Sequence, residues 1–223
     1  MTIPLIYFHV GSSETLQHSI KVSEFYKNSI VLLGDAESQF YTEGTKADFF
    51  DISNFNAHLS EFRANFINLS SNSPNIELIC IARWQLIYNF LAANNHSHAL
   101  YIDSDVLLFG NAEDLYNELF SGAKITLSHG TSGHTCFLET NFLGRFVEYF
   151  KKIYSAKSGI EWDNLVYLYQ SRQKFGLDGG VCDMTLLRNF CYGKNSQYFD
   201  EITRIRKFNN QLVTFDDNIN SSD

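Results

Sequence analysis

The sequence predicts a layered α/β domain, a mixed and mostly parallel sheet flanked by helices. Three observations carry this. Short apolar runs alternate with longer segments of helical period. Strand, helix and strand follow one another within the first 35 residues, a unit that pairs its strands in parallel. A chain of 223 residues has the length of one large domain, and such a domain buries roughly 70% of its unfolded surface, so it needs no disulfide or structural metal to fold.

The elements read in order. Ile3 to Val10 is a buried-strand run that stops at Gly11-Ser12-Ser13. A helix from about Glu14 to Tyr26 places Leu16, Ile20 and Ser23 on one face, and Ile30 to Leu33 is the second strand, ending at Gly34-Asp35. Residues 36–72 show no strong period. A helix begins at Ser73-Pro74, with Ser at the N-cap and Pro at the first helical position, and ends near Asn94-Asn95. Its apolar stripe runs through Ile79, Ala82, Leu86, Ile87 and Phe90. The third strand, Ala99 to Ile102, runs straight into Asp103-Ser104-Asp105. Asn111 caps a short helix, and Lys124 to Ser128 is a strand expected beside the third one. Helices are expected at 137–154, 162–173 and 181–191, then a short strand from Gln211 and a polar tail.

Composition excludes several classes. With 44% apolar and 15% aromatic residues the chain is globular, not disordered. The net charge of −8, without a Lys/Arg cluster, opposes binding to nucleic acid. No run of 18 apolar residues suggests a membrane span and no signal peptide is visible, so a cytoplasmic protein is expected. Cys80, Cys136, Cys182 and Cys191 form no C-x-x-C pair and read as reduced core thiols.

Three clusters carry chemistry. In open α/β sheets ligands bind outside the carboxyl ends of the strands. Asp103 and Asp105 leave such an end two positions apart and can share an ion. Hard carboxylate oxygens select Mg²⁺ or Mn²⁺. A solvated acidic turn is the plainer reading, but apolar residues flank the pair on both sides, where charges are costly unless paired or liganded. The second cluster is Ser128 to Thr135, where glycines permit close backbone approach and hydroxyls and imidazoles suit sugar hydroxyls. Within it His134, just before an apolar segment, looks more firmly placed than His129. The third is Leu177 to Thr185, a Gly179-Gly180 loop entering a helix with Asp183 in the first turn, where the helix dipole favours a carboxylate. The helix is expected to anchor through Met184, Leu187 and Phe190 and to leave Asp183 on another side.

Arg83 to Tyr88 on a helix, followed by Ala99-Leu-Tyr-Ile-Asp-Ser-Asp-Val-Leu, resembles the nucleotide-diphospho-sugar glycosyltransferases of the GT-A (Rossmann-like) fold. The resemblance covers about residues 3–35 and 76–127 and the rest in outline. It implies that Asp103 and Asp105, with Ser104 between them, hold the Mn²⁺ or Mg²⁺ ion and meet donor ribose and diphosphate. Arg83 would contact the donor phosphates or nearby sugar. Phe8, Val10, Gly11 and Ser12 would lie against the nucleotide base, Asp35 would match the acid that ends the family's second strand, and His134 would join the donor site. In similar proteins an acid in a "D-Q" or "D-M" pair approaches the sugar or acceptor, which implies Asp183 as the acid nearest the reacting carbon. The partners implied are a nucleoside diphosphate sugar, with UDP as the expected nucleotide, and a saccharide or other hydroxyl acceptor. Residues 1–223 then form one catalytic domain, with about 1–110 on the donor side and about 111–215 on the acceptor side.

The chain departs from the pattern in one respect. Many relatives take a third metal ligand from a C-terminal H-x-x-G-x-x-K segment, and no histidine follows Asp183. A C-terminus that stops short is one expectation, and His129, His134 or a water in the third position is the other. Two further readings stand beside this one. Ile102 to Val106 also fits the D-x-D of haloacid-dehalogenase-type phosphatases, with Ile125 to Ser128 as their hydroxyl motif and Asp216-Asp217 as their closing acids. A nucleotide-sugar-binding module without catalysis fits the missing C-terminal segment.

Overall fold

The first strand, β1 (Pro4–His9), is fully apolar to Phe8, and α1 (Leu16–Phe25) and β2 (Ser29–Gly34) follow as the pattern requires. The serines on the buried face of α1 have a reason to be there. Tyr7 is sealed in the core, and its hydroxyl donates to the Ser19 carbonyl (3.0 Å) and meets Ser23 Oγ at 2.8 Å. Strands β1 and β2 pair in parallel, as predicted. The computed structural model describes residues 2–193 and 195–215.

A seven-stranded sheet runs in the order β3-β2-β1-β4-β6-β5-β7, where β3 is Asp48–Asp51, β4 His98–Ile102, β5 Ile125–Leu127, β6 Thr135–Glu139 and β7 Phe199–Glu201. Strands β3, β2, β1 and β4 are parallel, β6 runs against both neighbours, and β5 pairs with β7 in parallel. The sheet is thus mixed and mostly parallel, and it crosses both halves of the chain. One face is covered by α2 (Asn56–Asn65), α3 (Pro74–Ala93), α5 (Thr140–Ala156) and α7 (Asp183–Tyr192), with α6 (Ile160–Lys174) outside them. The other face is covered by α1 and by α4 (Ala112–Leu115) with the turn that continues it.

Several expectations need correction. The segment 137–154 is not one helix: Thr135 to Glu139 is strand β6, and the helix starts at Thr140. Phe137 and Leu138 fit either period, and pairing with β4 decides for the strand. The chain turns where Thr140 Oγ1 donates to the His96 carbonyl at 2.5 Å. Consequently β5 does not lie beside β4, because β6 stands between them. That also separates Ser128 from the D-x-D strand, contrary to the phosphatase reading, whose Asp216 and Asp217 lie outside the described residues. Residues 36–72 hold the edge strand β3 and helix α2, both too short and too weakly patterned to stand out. The strand from Gln211 is β9 (Gln211–Val213), paired with β8 (Arg206–Phe208) across Asn209-Asn210, both left-handed as a two-residue hairpin loop requires.

Helix α3 begins at Pro74, but the Ser73 side chain makes no capping bond; its carbonyl takes the Glu77 N–H instead. Ile79 faces outward, while Ile81, Trp84, Ile87 and Leu91 are buried, because α2, α5 and α7 all press on this helix. Among the described residues α3 is the one helix long and apolar enough to cross a membrane, and its buried face makes it the core helix of this sheet. Asn111 caps α4 as predicted, accepting from the Glu113 and Asp114 N–H groups. The four cysteines are unpaired, Cys136 and Cys191 in the core.

Candidate functional site

The parallel strands β1, β2 and β4 end on the same edge, and the predicted residues collect there. The centre is Arg83. From α3 its Nη1 donates to Asp103 Oδ1 at 3.1 Å and to the Tyr101 hydroxyl at 2.9 Å, and its Nη2 donates to Asp183 Oδ2 at 2.5 Å. Tyr101 Oη also donates to Asp103 Oδ1. Tyr101 and Asp103, two apart, leave β4 on one face, as strand alternation demands. Rings of Trp84 and Tyr101 stand 5.2 Å and 5.3 Å from the Arg83 Cζ, close enough for cation–π attraction. Burial alone would pull the Arg83 pKa down. The Tyr101 oxygen that accepts from Nη1 and the carboxylates of Asp183 and Asp103 outweigh it and hold the guanidinium charged, well above its ordinary value. Burial pushes the Tyr101 pKa well up against the pull of Arg83, so its hydroxyl keeps the proton it donates.

Asp183 is 4% exposed and not on an open side of α7. Its Oδ2 accepts from Arg83 and from Trp84 Nε1 (3.0 Å), and its Oδ1 accepts from the Met184 N–H (2.9 Å). The predicted anchor Met184 is turned out, and Leu186 takes its place with Leu187 and Phe190. One turn residue carries the opposite character: Asp105 is exposed at the tip after β4. Ser104 turns away from this face, its Oγ 3.1 Å from His9 Nδ1 and its carbonyl held by Ser19 Oγ.

The remaining predicted residues sit around this edge. Phe8 is buried, Val10 and Ser12 are exposed, and Gly11 adopts φ +85° and donates its N–H to Asp35 Oδ2 (3.0 Å). Asp35 also accepts from Ser38 N and Oγ at 3.0 and 2.6 Å, so it ties the ends of β1 and β2 together. Burial alone would raise its pKa. The Ser38 and Gly11 bonds and nearby His9 outweigh that and hold its carboxyl below the usual value. His134 adjoins Asp103 through the backbone, its carbonyl accepting the Asp103 N–H at 2.7 Å, while its Nδ1 meets Ser132 Oγ at 2.7 Å. The neighbouring Gly133 packs on the core: a Cβ there would stand 2.7 Å from Trp84 Cη2 and 3.0 Å from Leu187 Cδ1. His129 donates its N–H to Glu201, away from the centre.

Three participants escaped the sequence reading: Tyr101, Trp84 and His9. The i, i+2 spacing of Tyr101 and Asp103 on a strand was a signal for the first. Nothing local announces that Trp84 and Asp183 meet, since 99 residues separate them. Among the described residues no three His, Cys, Asp or Glu side chains gather as a ready metal cage. Asp103, with one oxygen on Arg83 and Tyr101, and the exposed Asp105 are the two carboxylates at the end of β4 that could take part in holding an ion.

Beside Phe8 and Val10 lies an apolar cavity of about 200 Å³ between β1, α2 and α3. Ile52, Phe62, Ala82 and Leu86 form part of its lining, and Val10 and Ile79, each 38% exposed, are at its surface.

This mixed, mostly parallel seven-stranded sheet flanked by helices is a GT-A-like fold. The structure is similar to mouse xyloside xylosyltransferase 1 in its apo form, with a TM-score of 0.55 and 12% identity over 90% of this chain and 85% of that one, a likeness of fold. It also aligns with the glycosyltransferase GlyE of Streptococcus pneumoniae (TM-score 0.47, 15% identity, 90% of this chain), of which it spans 45%, and with a cytidylyltransferase of Leptospira borgpetersenii (TM-score 0.38, 9% identity, 78% and 72% of the two chains). The sequence matches no protein-family model and no curated protein.

Proposed function

We propose that the protein is a metal-dependent glycosyltransferase that moves a sugar from a nucleoside diphosphate sugar, UDP-linked, to a hydroxyl acceptor such as a saccharide. The observation that supports this most is Arg83, a half-buried cation held at the tip of β4 beside Asp103, close to Asp105 in sequence, at the carboxyl ends of the parallel strands of a GT-A-like sheet. In this reading Asp103 and Asp105 would hold Mn²⁺ or Mg²⁺, whose charge would offset that of the diphosphate leaving group. Arg83 presents its guanidinium to the diphosphate. The base lies over Val10, Gly11 and Ser12 against the cavity floored by Phe8, with Asp35 shaping the turn beneath it. His134 and Ser104 border the donor, and residues from about 111 onward serve the acceptor. In transfer, the acceptor oxygen bonds to the anomeric carbon, the bond from that carbon to the diphosphate oxygen breaks, the nucleoside diphosphate leaves with the electron pair, and the acceptor proton passes to solvent. A reducing, cytoplasmic setting belongs to the same proposal and is supported by the unpaired thiols.

Calorimetry tests it. UDP should bind appreciably with Mn²⁺ and hardly at all in EDTA, because diphosphate and two aspartates repel without a cation between them. Equal affinity with and without metal would sink the roles of Asp103 and Asp105. Metal-dependent binding without transfer or donor hydrolysis would point instead to a non-catalytic binding module.

A further inference from the structure

We infer that Asp183 is a positioning residue: it acts by holding Arg83, and it touches neither the sugar nor the acceptor. This rests on the proposed donor site and deepens it. A group that meets a sugar hydroxyl or takes the acceptor's proton must reach the cleft with a free lone pair. Asp183 is 4% exposed and already accepts from Arg83 Nη2, Trp84 Nε1 and the Met184 N–H. Its partner has the opposite need. Arginine carries a long side chain with large rotamer freedom, and a phosphate-binding guanidinium works best when that freedom is already lost. Arg83 is fixed at both ends of its fork, by Asp183 on Nη2 and by Asp103 and Tyr101 on Nη1, and its guanidinium lies beside the adjoining rings of Trp84 and Tyr101. Without Asp183, Nη2 loses its charged anchor and the guanidinium is free to collapse onto Asp103, the carboxylate that the metal needs.

The test is a double-mutant cycle read as UDP affinity with Mn²⁺, using wild type, Asp183→Asn, Arg83→Gln and the double variant, with melting temperatures measured alongside. Partners that orient a binding group typically cost roughly 10–100-fold when lost. Asp183→Asn should weaken UDP by that order at a temperature where it is fully folded, and the double variant should bind no more weakly than Arg83→Gln alone. A merely structural role lowers the melting temperature and leaves the affinity of the folded protein intact. Wild-type affinity in folded Asp183→Asn would overturn the inference, and so would a double variant that multiplies the two single losses. If Asp183→Asn alone does not fold, the double variant, which has one unpaired carboxylate fewer than Arg83→Gln, is compared with Arg83→Gln instead. Equal UDP affinity and equal donor hydrolysis support positioning; a further loss of hydrolysis assigns Asp183 to the sugar. If wild type itself fails to bind UDP with Mn²⁺, the donor-site proposal fails, and the inference falls with it.

Discussion

Gly180→Ala tests the framework that brings α7 to the site. The segment 69–71 and the loop 179–181 lie side by side, bridged at Ser70 and Gly180, with Val181 N–H on the Leu69 carbonyl (2.8 Å) and Ser71 N–H on the Gly179 carbonyl (3.2 Å). A Cβ on Gly180 would stand 2.2 Å from the Leu69 oxygen and 2.6 Å from Ser70 Cα. Both obstacles are backbone, so no side chain can swing aside, and the two segments must part by roughly 1 Å or more. Overpacking costs about 1–3 kcal/mol, and the two bridging hydrogen bonds contribute about 1 kcal/mol each. The expected loss is about 3–5 kcal/mol. At about 2–4 °C per kcal/mol for a chain of this length, the melting temperature should fall by about 6–20 °C. Gly179→Ala is the control. Its Cβ would meet nothing nearer than Arg172 Nη2 at 3.7 Å, and its φ of +81° alone costs about 1–2 kcal/mol. Thermal unfolding followed by circular dichroism compares them. If Gly180→Ala melts within 2 °C of wild type, or above Gly179→Ala, the side-by-side packing that seats Asp183 is refuted.

Asp105→Asn should leave stability within about 0.5 kcal/mol, because the residue is exposed, while weakening Mn²⁺-dependent UDP binding at least about tenfold; a large melting shift with affinity kept would make it structural. Arg83→Met leaves Asp103 and buried Asp183 without their cation and should cost about 3–5 kcal/mol, seen in urea unfolding; a cost below about 1 kcal/mol would contradict the buried network. Asp35 has a lowered folded pKa, so its contribution to stability is present above its unfolded value near 4 and is lost as pH falls from there through the folded pKa. Asp35→Asn should therefore flatten the acid side of the stability profile below about pH 4, and parallel wild-type and variant profiles there would exclude that role.

Much of this was legible locally. The apolar runs at Ile3 to Val10, Ile30 to Leu33 and Ala99 to Ile102 determined three strands, and strand-helix-strand spacing determined that β1 and β2 pair in parallel, because a crossover helix leaves no other economical return. The D-x-D at a strand end and Arg83 on the preceding helix were legible as a cluster, and the fold brings Arg83 and Asp103 together at 3.1 Å. Tertiary structure decided what local pattern leaves degenerate. Phe137 and Leu138 suit helix and strand alike, and only the open edge of β4 made them a strand. Gly133 and Gly180 could serve a ligand or the core, and the nearness of Trp84 and of the Leu69–Ser70 backbone settled them for the core. Asp183 at a helix start could face water or protein, and Arg83 and Trp84, a hundred residues away in sequence, turned it inward. Such pairings depend on which elements become neighbours, and period, cap and turn signals act over a few residues, so they carry no information about contacts at that separation.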